Sequence, residues 1–222
     1  MEYEGMSTSY IEEVKERAQE LVELVERKSS GRAILLPVTK GFGVREVEAM
    51  LEVGLAAVGE SYAQEMLGKA ELVNDSRVCW HMIGGIQRNK IKKLSTTVDL
   101  WHSVDRKEVI REISKNKKDS KILVQVDMNG RSTQGGCSPD EVPGLIECAF
   151  DSGVIVEGLM TIGVDQDIEA TKNTFSDLAK LSKSMGLREI SMGMSNDFEI
   201  AIDYGATILR VGRSIFGERP KK

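Results

Sequence analysis

One lysine in this chain lies where its amine would be chemically reactive. Lys40 ends the apolar run Ala-Ile-Leu-Leu-Pro-Val-Thr at residues 33–39, and Gly-Phe-Gly follows it. Such a run is typical of a strand buried on both faces, so its carboxyl end would place the amine at the mouth of a sheet. A partly desolvated amine has a depressed pKa and attacks carbonyl groups. From this segment alone, a solvated loop lysine is the competing interpretation.

Two later segments carry groups suited to binding an anion. Ser195 closes Ser-Met-Gly-Met-Ser at residues 191–195 and directly precedes a helical stretch, whose first backbone N–H groups have no acceptor within the helix. Arg210, Gly212 and Arg213 lie in Leu-Arg-Val-Gly-Arg-Ser at residues 209–214, where a glycine lets the backbone approach an oxyanion closely. Each segment alone could equally be a simple turn, so its place in the fold decides its interpretation.

The elements that would position these residues alternate between helical and strand-like runs. An amphipathic helix is predicted over about 9–28, and apolar spacing indicates further helices near 43–53, 61–73, 87–95, 105–117, 140–151, 167–185 and 196–204. Eight strand candidates lie at 33–39, 56–60, 79–83, 100–104, 121–128, 157–162, 189–193 and 207–211. Eight such repeats predict a closed (β/α)8 TIM-type barrel over about 33–217. No linker is visible, so residues 1–222 are expected to form a single domain with an extra N-terminal helix.

In a barrel of this type the active site lies at the carboxyl ends of the strands, and phosphate sites often use the loops after strands seven and eight. Lys40 would follow strand one, whereas Ser195 and Gly212 would follow strands seven and eight. A carbonyl-seeking lysine that faces an anion cradle indicates a phosphorylated aldehyde as ligand. Pyridoxal 5′-phosphate (PLP) satisfies this pattern, and so does the sugar phosphate of a Schiff-base aldolase.

The composition narrows the classes of function. The net charge of −5 on 222 residues gives no support to nucleic-acid or anionic-membrane binding. The three cysteines form no CxxC pair, no secretory signal is visible, and no apolar run approaches the ~18 residues that span a bilayer. We therefore expect a cytoplasmic protein. The two histidines, His81 and His102, are interpreted as hydrogen-bonded structural groups, and no metal site is expected.

Six motifs decide between the candidate ligands, and they occur in a specific order along the chain. They are Val-Thr-Lys at 38–40, Gly-Glu-Ser-Tyr-Ala-Gln-Glu at 59–65, Trp-His-Met-Ile-Gly at 80–84, Gln-Arg-Asn-Lys at 87–90, Ser-Met-Gly-Met-Ser-Asn-Asp-Phe-Glu at 191–199, and Arg-Val-Gly-Arg-Ser-Ile-Phe-Gly at 210–217. Together they resemble the pyridoxal phosphate homeostasis protein family, also called the proline synthetase co-transcribed family. The resemblance extends over about 9–219.

This resemblance implies a (β/α)8 barrel similar to the N-terminal domain of alanine racemase, with PLP as cofactor. It implies that Lys40 holds PLP as a Schiff base, that Ser195, Gly212 and Arg213 bind the phosphate, and that Arg210 faces the pyridine nitrogen. An arginine can only donate, so it keeps that nitrogen unprotonated and makes the ring a poor electron sink. The sequence ends at Lys222, so we also expect no second domain of the kind that completes the racemase site.

These features favour a protein that holds, buffers or delivers PLP in vitamin B6 homeostasis without robust turnover. The expected partners are PLP and apo forms of PLP-dependent enzymes, and the expected state is a monomer or weak homodimer. A PLP-dependent racemase or deaminase of low efficiency is the enzymatic alternative. An adaptor whose cofactor reports vitamin B6 status to another protein is the third.

Two positions depart from the pattern usual in that family. Ser61 stands where asparagine is common, and Gln134, in Ser-Thr-Gln-Gly-Gly at 132–136, stands where lysine is usual. The shorter serine is expected to lose a contact to the cofactor ring or to make it through water. Gln134 removes a positive charge near the barrel mouth, so secondary ligand sites or PLP transfer could differ. Neither change falls on the lysine or the anion cradle, so PLP binding should persist.

Overall fold

The computed structural model describes residues 8–130 and 134–219. Its strands form one parallel sheet in the order β1-β8-β7-β6-β5-β4-β3-β2. A parallel bridge between Val38 and Gly59 joins the two outer strands of that order. The expected (β/α)8 barrel is therefore confirmed. The strands are β1 Ile34–Pro37, β2 Ala57–Glu60, β3 Cys79–Met82, β4 Val98–Val104, β5 Lys121–Gln125, β6 Ile155–Met160, β7 Glu189–Ser191 and β8 Ile208–Val211.

Each predicted helical stretch contains a helix. The helices are α1 Thr8–Ser29, α2 Val44–Glu52, α3 Ala63–Val73, α4 Arg88–Leu94, α5 Lys107–Asn116, α6 Val142–Asp151, α7 Ile168–Ser184, α8 Phe198–Asp203 and α9 Arg213–Phe216, with a 3₁₀ turn at Pro139–Glu141. The structure adds α9, which the sequence did not predict because a single turn shows no apolar periodicity. It also corrects one boundary: α8 begins at Phe198, so Ser195 does not directly precede it.

Helix α1 packs outside the barrel against α2, α8, α9 and β1, which confirms the extra N-terminal helix. Its apolar stripe includes Val14, Ala18 and Val25, all of which are buried. The stripe follows the three- and four-residue spacing that places side chains on one helix face. Helix α1 therefore supports both the first strand and the last helix of the barrel.

The barrel interior contains an apolar cluster and, beside it, a set of buried polar side chains. The apolar cluster consists of Leu36, Leu100, Leu123, Met160 and Ile208. The buried polar set includes Thr39, Glu60, His81, His102, Ser191 and Arg210. Buried polar groups are costly unless they are hydrogen-bonded, so this concentration marks the part of the barrel where function is expected.

Two findings bear on the predictions made from composition. The three cysteines, all within the described ranges, are free thiols, with Cys79 exposed and Cys137 and Cys148 buried, as expected for a chain without a disulfide framework. Within the same ranges, no helix is long and apolar enough to cross a membrane.

Candidate functional site

A cavity of about 720 Å³ opens at the carboxyl ends of the strands. All five residues predicted from the sequence line it, namely Lys40, Ser195, Arg210, Gly212 and Arg213. They come from the ends of three neighbouring strands, β1, β7 and β8, which pair in the sheet. The fold therefore brings together residues that are far apart in the chain.

Lys40 follows β1 and is partly buried at the wall of the cavity. Burial lowers the pKa of its amine, and the positive charges of Arg219 and Arg210 lower it further. The carboxylates of Glu60 and Glu65 act in the opposite direction. A lysine with a lowered pKa has a larger neutral fraction near neutral pH, and only the neutral amine is a nucleophile.

Arg210 lies on β8 with only 5% of its surface exposed. Its Nη1 donates to Ser191 Oγ at 2.7 Å, and its Nη2 donates to the Thr161 carbonyl oxygen at 2.8 Å. Burial lowers the pKa of the guanidinium to about 10, whereas Asp197 opposes this effect. The group stays protonated at neutral pH, so it can only donate hydrogen bonds into the cavity.

A chain of hydrogen bonds continues from Arg210 into the barrel. His102 Nδ1 lies 3.0 Å from Ser191 Oγ, and His102 Nε2 lies 3.0 Å from His81 Nδ1. Ser191 Oγ also accepts from Arg210, so it links the guanidinium to both imidazole rings, whose donor and acceptor roles depend on the tautomer. Both rings are neutral because burial lowers their pKa values, that of His81 to about 4. The predicted hydrogen bonding of both histidines is confirmed.

The loops after β7 and β8 meet at Ser195. The Ser195 Oγ accepts a hydrogen bond from the Ser214 backbone N–H at 3.3 Å, which leaves the hydroxyl proton of Ser195 able to donate. The Asp197 carboxylate holds the β7 loop by accepting from the Met194 N–H at 2.5 Å. A Cβ at Gly212 would lie 3.1 Å from the Val38 carbonyl oxygen, so a larger residue would crowd β1. Ser195, Gly212 and Arg213 line the cavity together, and we call this candidate anion-binding group the anion cradle.

Sequence reasoning missed several groups around the site. Arg219 lines the cavity, and no pattern in the sequence singles it out. Lys69 is buried near the backbone of Lys40, although its spacing from Glu65 resembles an ordinary surface ion pair on a helix. The sequence places Lys69 on the first helix after Glu60, but it does not show which face of that helix is buried.

Both departures from the family pattern lie at the cavity. Ser61 and Gln134 line its wall, and the Gln134 carbonyl oxygen accepts from Gln125 Nε2 at 2.9 Å. Ser132 and Thr133, from the same segment, lie outside the described residues. In the described part of the chain, no group of three or more His, Cys, Asp or Glu side chains could hold a metal ion. The positively charged side chains that line the cavity are those of Lys40, Arg210, Arg213 and Arg219.

Comparison with known proteins shows to which class of protein this chain belongs. Residues 11–220 match the family model of the alanine racemase N-terminal domain, so fold and site together define a barrel of that class. A pyridoxal phosphate homeostasis protein of Aquifex aeolicus is 37% identical over 218 residues, covering 93% of this chain and 95% of the relative. The chain belongs to the pyridoxal phosphate homeostasis protein family, as its motifs predict.

Solved structures agree with this assignment. A protein of unknown function from Bifidobacterium adolescentis superposes with a TM-score of 0.87 at 29% identity, covering 96% of this chain and 98% of that one. PipY from Synechococcus elongatus PCC7942, in its structure with PLP bound, superposes with a TM-score of 0.79 at 27% identity. That match covers 92% of this chain and all of PipY.

Proposed function

We propose that this protein binds PLP covalently through Lys40 and acts as a carrier and buffer of the cofactor in PLP homeostasis. The observation that carries the proposal is the convergence of Lys40, Arg210 and the anion cradle on one cavity. The PLP bound to PipY and the names of the relatives support the choice of cofactor. The match over residues 11–220 supports treating the chain as one cofactor-binding unit.

The residues of the cavity fit the three functional groups of PLP. The cofactor carries an aldehyde, a phosphate and a pyridine nitrogen, and it supplies an electrophilic carbon when bound. Lys40 offers an amine to the aldehyde. The hydroxyl of Ser195 and the backbone N–H groups of Gly212 and Arg213 offer donors to the phosphate. Arg210 offers a fixed donor to the ring nitrogen.

The amine of Lys40 is suited to reversible capture. In its neutral form the Nζ atom adds to the aldehyde carbon, and both amine protons leave with the aldehyde oxygen as one water molecule. The product is a C=N bond, and addition of water reverses the step. The lowered pKa of Lys40 increases the fraction of amine that can react.

Arg210 favours holding the cofactor over converting substrates. The guanidinium is protonated and can only donate, so it stabilises an unprotonated pyridine nitrogen. Such a ring withdraws electrons weakly, which limits carbanion chemistry. Ser191 and Thr161 fix the guanidinium in this role. The recipients we propose are apo enzymes that need PLP, and the free cysteines are consistent with a reducing cytoplasm.

The test is to incubate the purified protein with PLP, remove the excess, and record the visible spectrum before and after borohydride reduction. We expect an absorbing adduct that peptide mapping assigns to Lys40. Lys40→Ala should abolish the adduct and leave the circular dichroism spectrum unchanged, whereas the exposed control Lys115→Ala should behave like the wild type. An adduct distributed over surface lysines would refute the proposal.

A second measurement separates carriage from catalysis. The loaded protein is mixed with an apo PLP-dependent enzyme, and recovery of that enzyme's activity is followed over time. We expect transfer to exceed the rate given by the same concentration of cofactor released into buffer. Steady racemisation or deamination of an amino acid by the loaded protein, lost in Lys40→Ala, would establish the enzymatic alternative instead.

A further inference from the structure

One cluster of charged side chains holds both peptide groups that flank Lys40. On the preceding side, the Thr39 carbonyl oxygen accepts from Lys69 Nζ at 2.7 Å. On the following side, the Gly41 backbone N–H donates to Glu65 Oε1 at 2.5 Å. Gly41 has a φ of +81°, so the chain turns sharply just after Lys40. The position of the Lys40 backbone is therefore fixed from both sides.

The cluster that makes these contacts consists of Glu60, Glu65 and Lys69, which we call the lysine clamp. Lys69 Nζ lies 2.5 Å from Glu60 Oε1 and 2.9 Å from Glu65 Oε1. Glu60 Oε1 also accepts from Thr39 Oγ1 at 2.7 Å. The three donor positions of the Lys69 ammonium are thus used by two carboxylates and one carbonyl. Each member of the clamp restrains the others.

The burial of the clamp argues against a purely stabilising role. The side chains of Lys69 and Glu60 are 6% and 0% exposed, and Glu60 Oε2 is buried without a hydrogen-bond partner among the described residues. Desolvation makes buried ion pairs poor stabilisers, and apolar side chains of similar size often do as well. A charge cluster at this position is better explained by what it holds than by the stability that it supplies.

We infer that the lysine clamp positions Lys40 for attack and thereby sets the rate at which the protein captures and releases an aldehyde. This inference rests on the proposed function, in which Lys40 Nζ forms a C=N bond with loss of one water molecule. A lysine side chain is long and flexible, so its amine reaches a fixed point reproducibly only when its backbone is fixed. Misplacement of a reacting group by about 1 Å can cost on the order of 100-fold in rate.

Glu65 allows a test with a conservative rescue, because its side chain is partly exposed. Glu65→Leu removes the acceptor for the Gly41 N–H, whereas Glu65→Gln keeps an amide oxygen there. We expect the rate of PLP capture, followed by stopped-flow absorbance, to fall about 10-fold or more in Glu65→Leu and to stay near wild type in Glu65→Gln. Binding of the alcohol analogue of the cofactor, which has no aldehyde, should change little in either variant.

Lys69 is tested as one half of a double variant. Lys69→Met alone would leave Glu60 charged and unpaired in the interior, which is strongly destabilising. The double variant Glu60→Gln, Lys69→Met removes both charges together and is expected to fold, with slowed capture. Folding is checked by thermal unfolding, and Glu65 is retained in this variant so that the Gly41 N–H keeps its acceptor.

A measurement without cofactor distinguishes failure of the clamp inference from failure of the proposed function. The apo protein is treated with formaldehyde and cyanoborohydride, and methylation of Lys40 is compared with that of exposed Lys115 by peptide mapping. We expect the ratio to fall in Glu65→Leu and in the double variant. If Glu65→Leu and the double variant both kept wild-type capture rates and labelling ratios, the inference about the lysine clamp would be wrong, and the proposed function would remain intact. Failure of the wild type to form a PLP adduct at Lys40 would overturn the proposed function itself.

Discussion

Gly212 shows how one absent side chain shapes the site. It lies where β8 turns into α9, and a Cβ at this position would come within 3.1 Å of the Val38 carbonyl oxygen. Its φ is −121°, so the reason for glycine is space and not an unusual backbone conformation. The missing Cβ lets the anion cradle approach the strand that precedes Lys40.

We expect Gly212→Ala to push the β8 loop away from β1 and to weaken binding of PLP about 10-fold, since donors to a phosphate act only at hydrogen-bonding distance. The affinity is measured by titration of the visible absorbance. Gly68→Ala is the control, because nothing lies within 4 Å of its added Cβ in helix α3. The control should keep its affinity and gain about 0.5–1 kcal/mol of stability. Equal affinities in the two variants would contradict the assignment of Gly212.

His81 gives the molecule a pH-dependent stability. Its pKa falls from 6.5 to about 4 in the folded protein because burial disfavours the charged ring. Between these two values the unfolded chain binds a proton that the folded chain does not. The protein therefore keeps its full stability with respect to His81 above pH 6.5, where the ring is neutral in both states. The free energy of unfolding decreases as the pH falls from 6.5 toward 4. The expected slope is about 1.4 kcal/mol per pH unit.

We expect His81→Asn, whose amide can still bond to His102 but does not titrate, to reduce the slope of stability against pH between pH 6.5 and about 4. Urea unfolding at a series of pH values measures this slope in both proteins. Comparing slopes removes any constant loss of stability caused by the substitution. Parallel curves for the wild type and the variant would show that His81 is not buried in its neutral form.

At the scale of elements, the first helix supports the last one. Tyr10 in α1 donates from its hydroxyl to the Phe216 carbonyl oxygen of α9 at 3.1 Å. Burial, with the nearby charge of Glu46, raises the pKa of Tyr10 to about 12, so the hydroxyl stays a donor. Phe216 also packs against Phe42, with ring centroids 5.0 Å apart. Helix α9 carries Arg213, so this support extends to the anion cradle.

We expect Tyr10→Phe to lower the free energy of unfolding by about 1 kcal/mol, the usual value for one hydrogen bond, and to weaken binding of inorganic phosphate. Urea unfolding and isothermal titration measure the two effects. The matched control is Tyr62→Phe, because Tyr62 is 58% exposed. A loss of stability without any change in phosphate affinity would mean that α1 holds the barrel together but does not support the cradle.

The elements also show what could be predicted from sequence. The eight strands were found because each is a short apolar run between helices with a clear period. The meeting of Lys40, Ser195 and Gly212 at one cavity could be predicted because barrel topology fixes which strand ends are neighbours. Helix α9 is too short to show a period, and the contact of His102 with Ser191 joins positions 89 residues apart. The burial of Lys69 depends on which face of α3 lies against the chain at Lys40, and local sequence does not specify this.

At the scale of the whole molecule, the site is built from the two ends of the barrel sequence. Strand β1 pairs with β8, and Leu36 lies opposite Arg210 in their register. On its other side, β1 meets β2 through the bridge from Val38 to Gly59. Lys40 thus follows the strand that pairs with β8 on one side and meets β2 on the other, so it comes near Arg210 only when β1 and β8 have paired.

The pairing of β1 with β8 has a consequence for synthesis on the ribosome. A growing chain acquires Lys40 early, but Ser195, Arg210 and Gly212 are among the last parts of the barrel to be translated. Until β8 has left the exit tunnel, the nascent chain has the Lys40 amine without the burial and the neighbouring arginines that lower its pKa, and without the groups around Ser195. Under the proposed function, cofactor loading therefore follows translation, and a loaded molecule is one whose barrel has already closed.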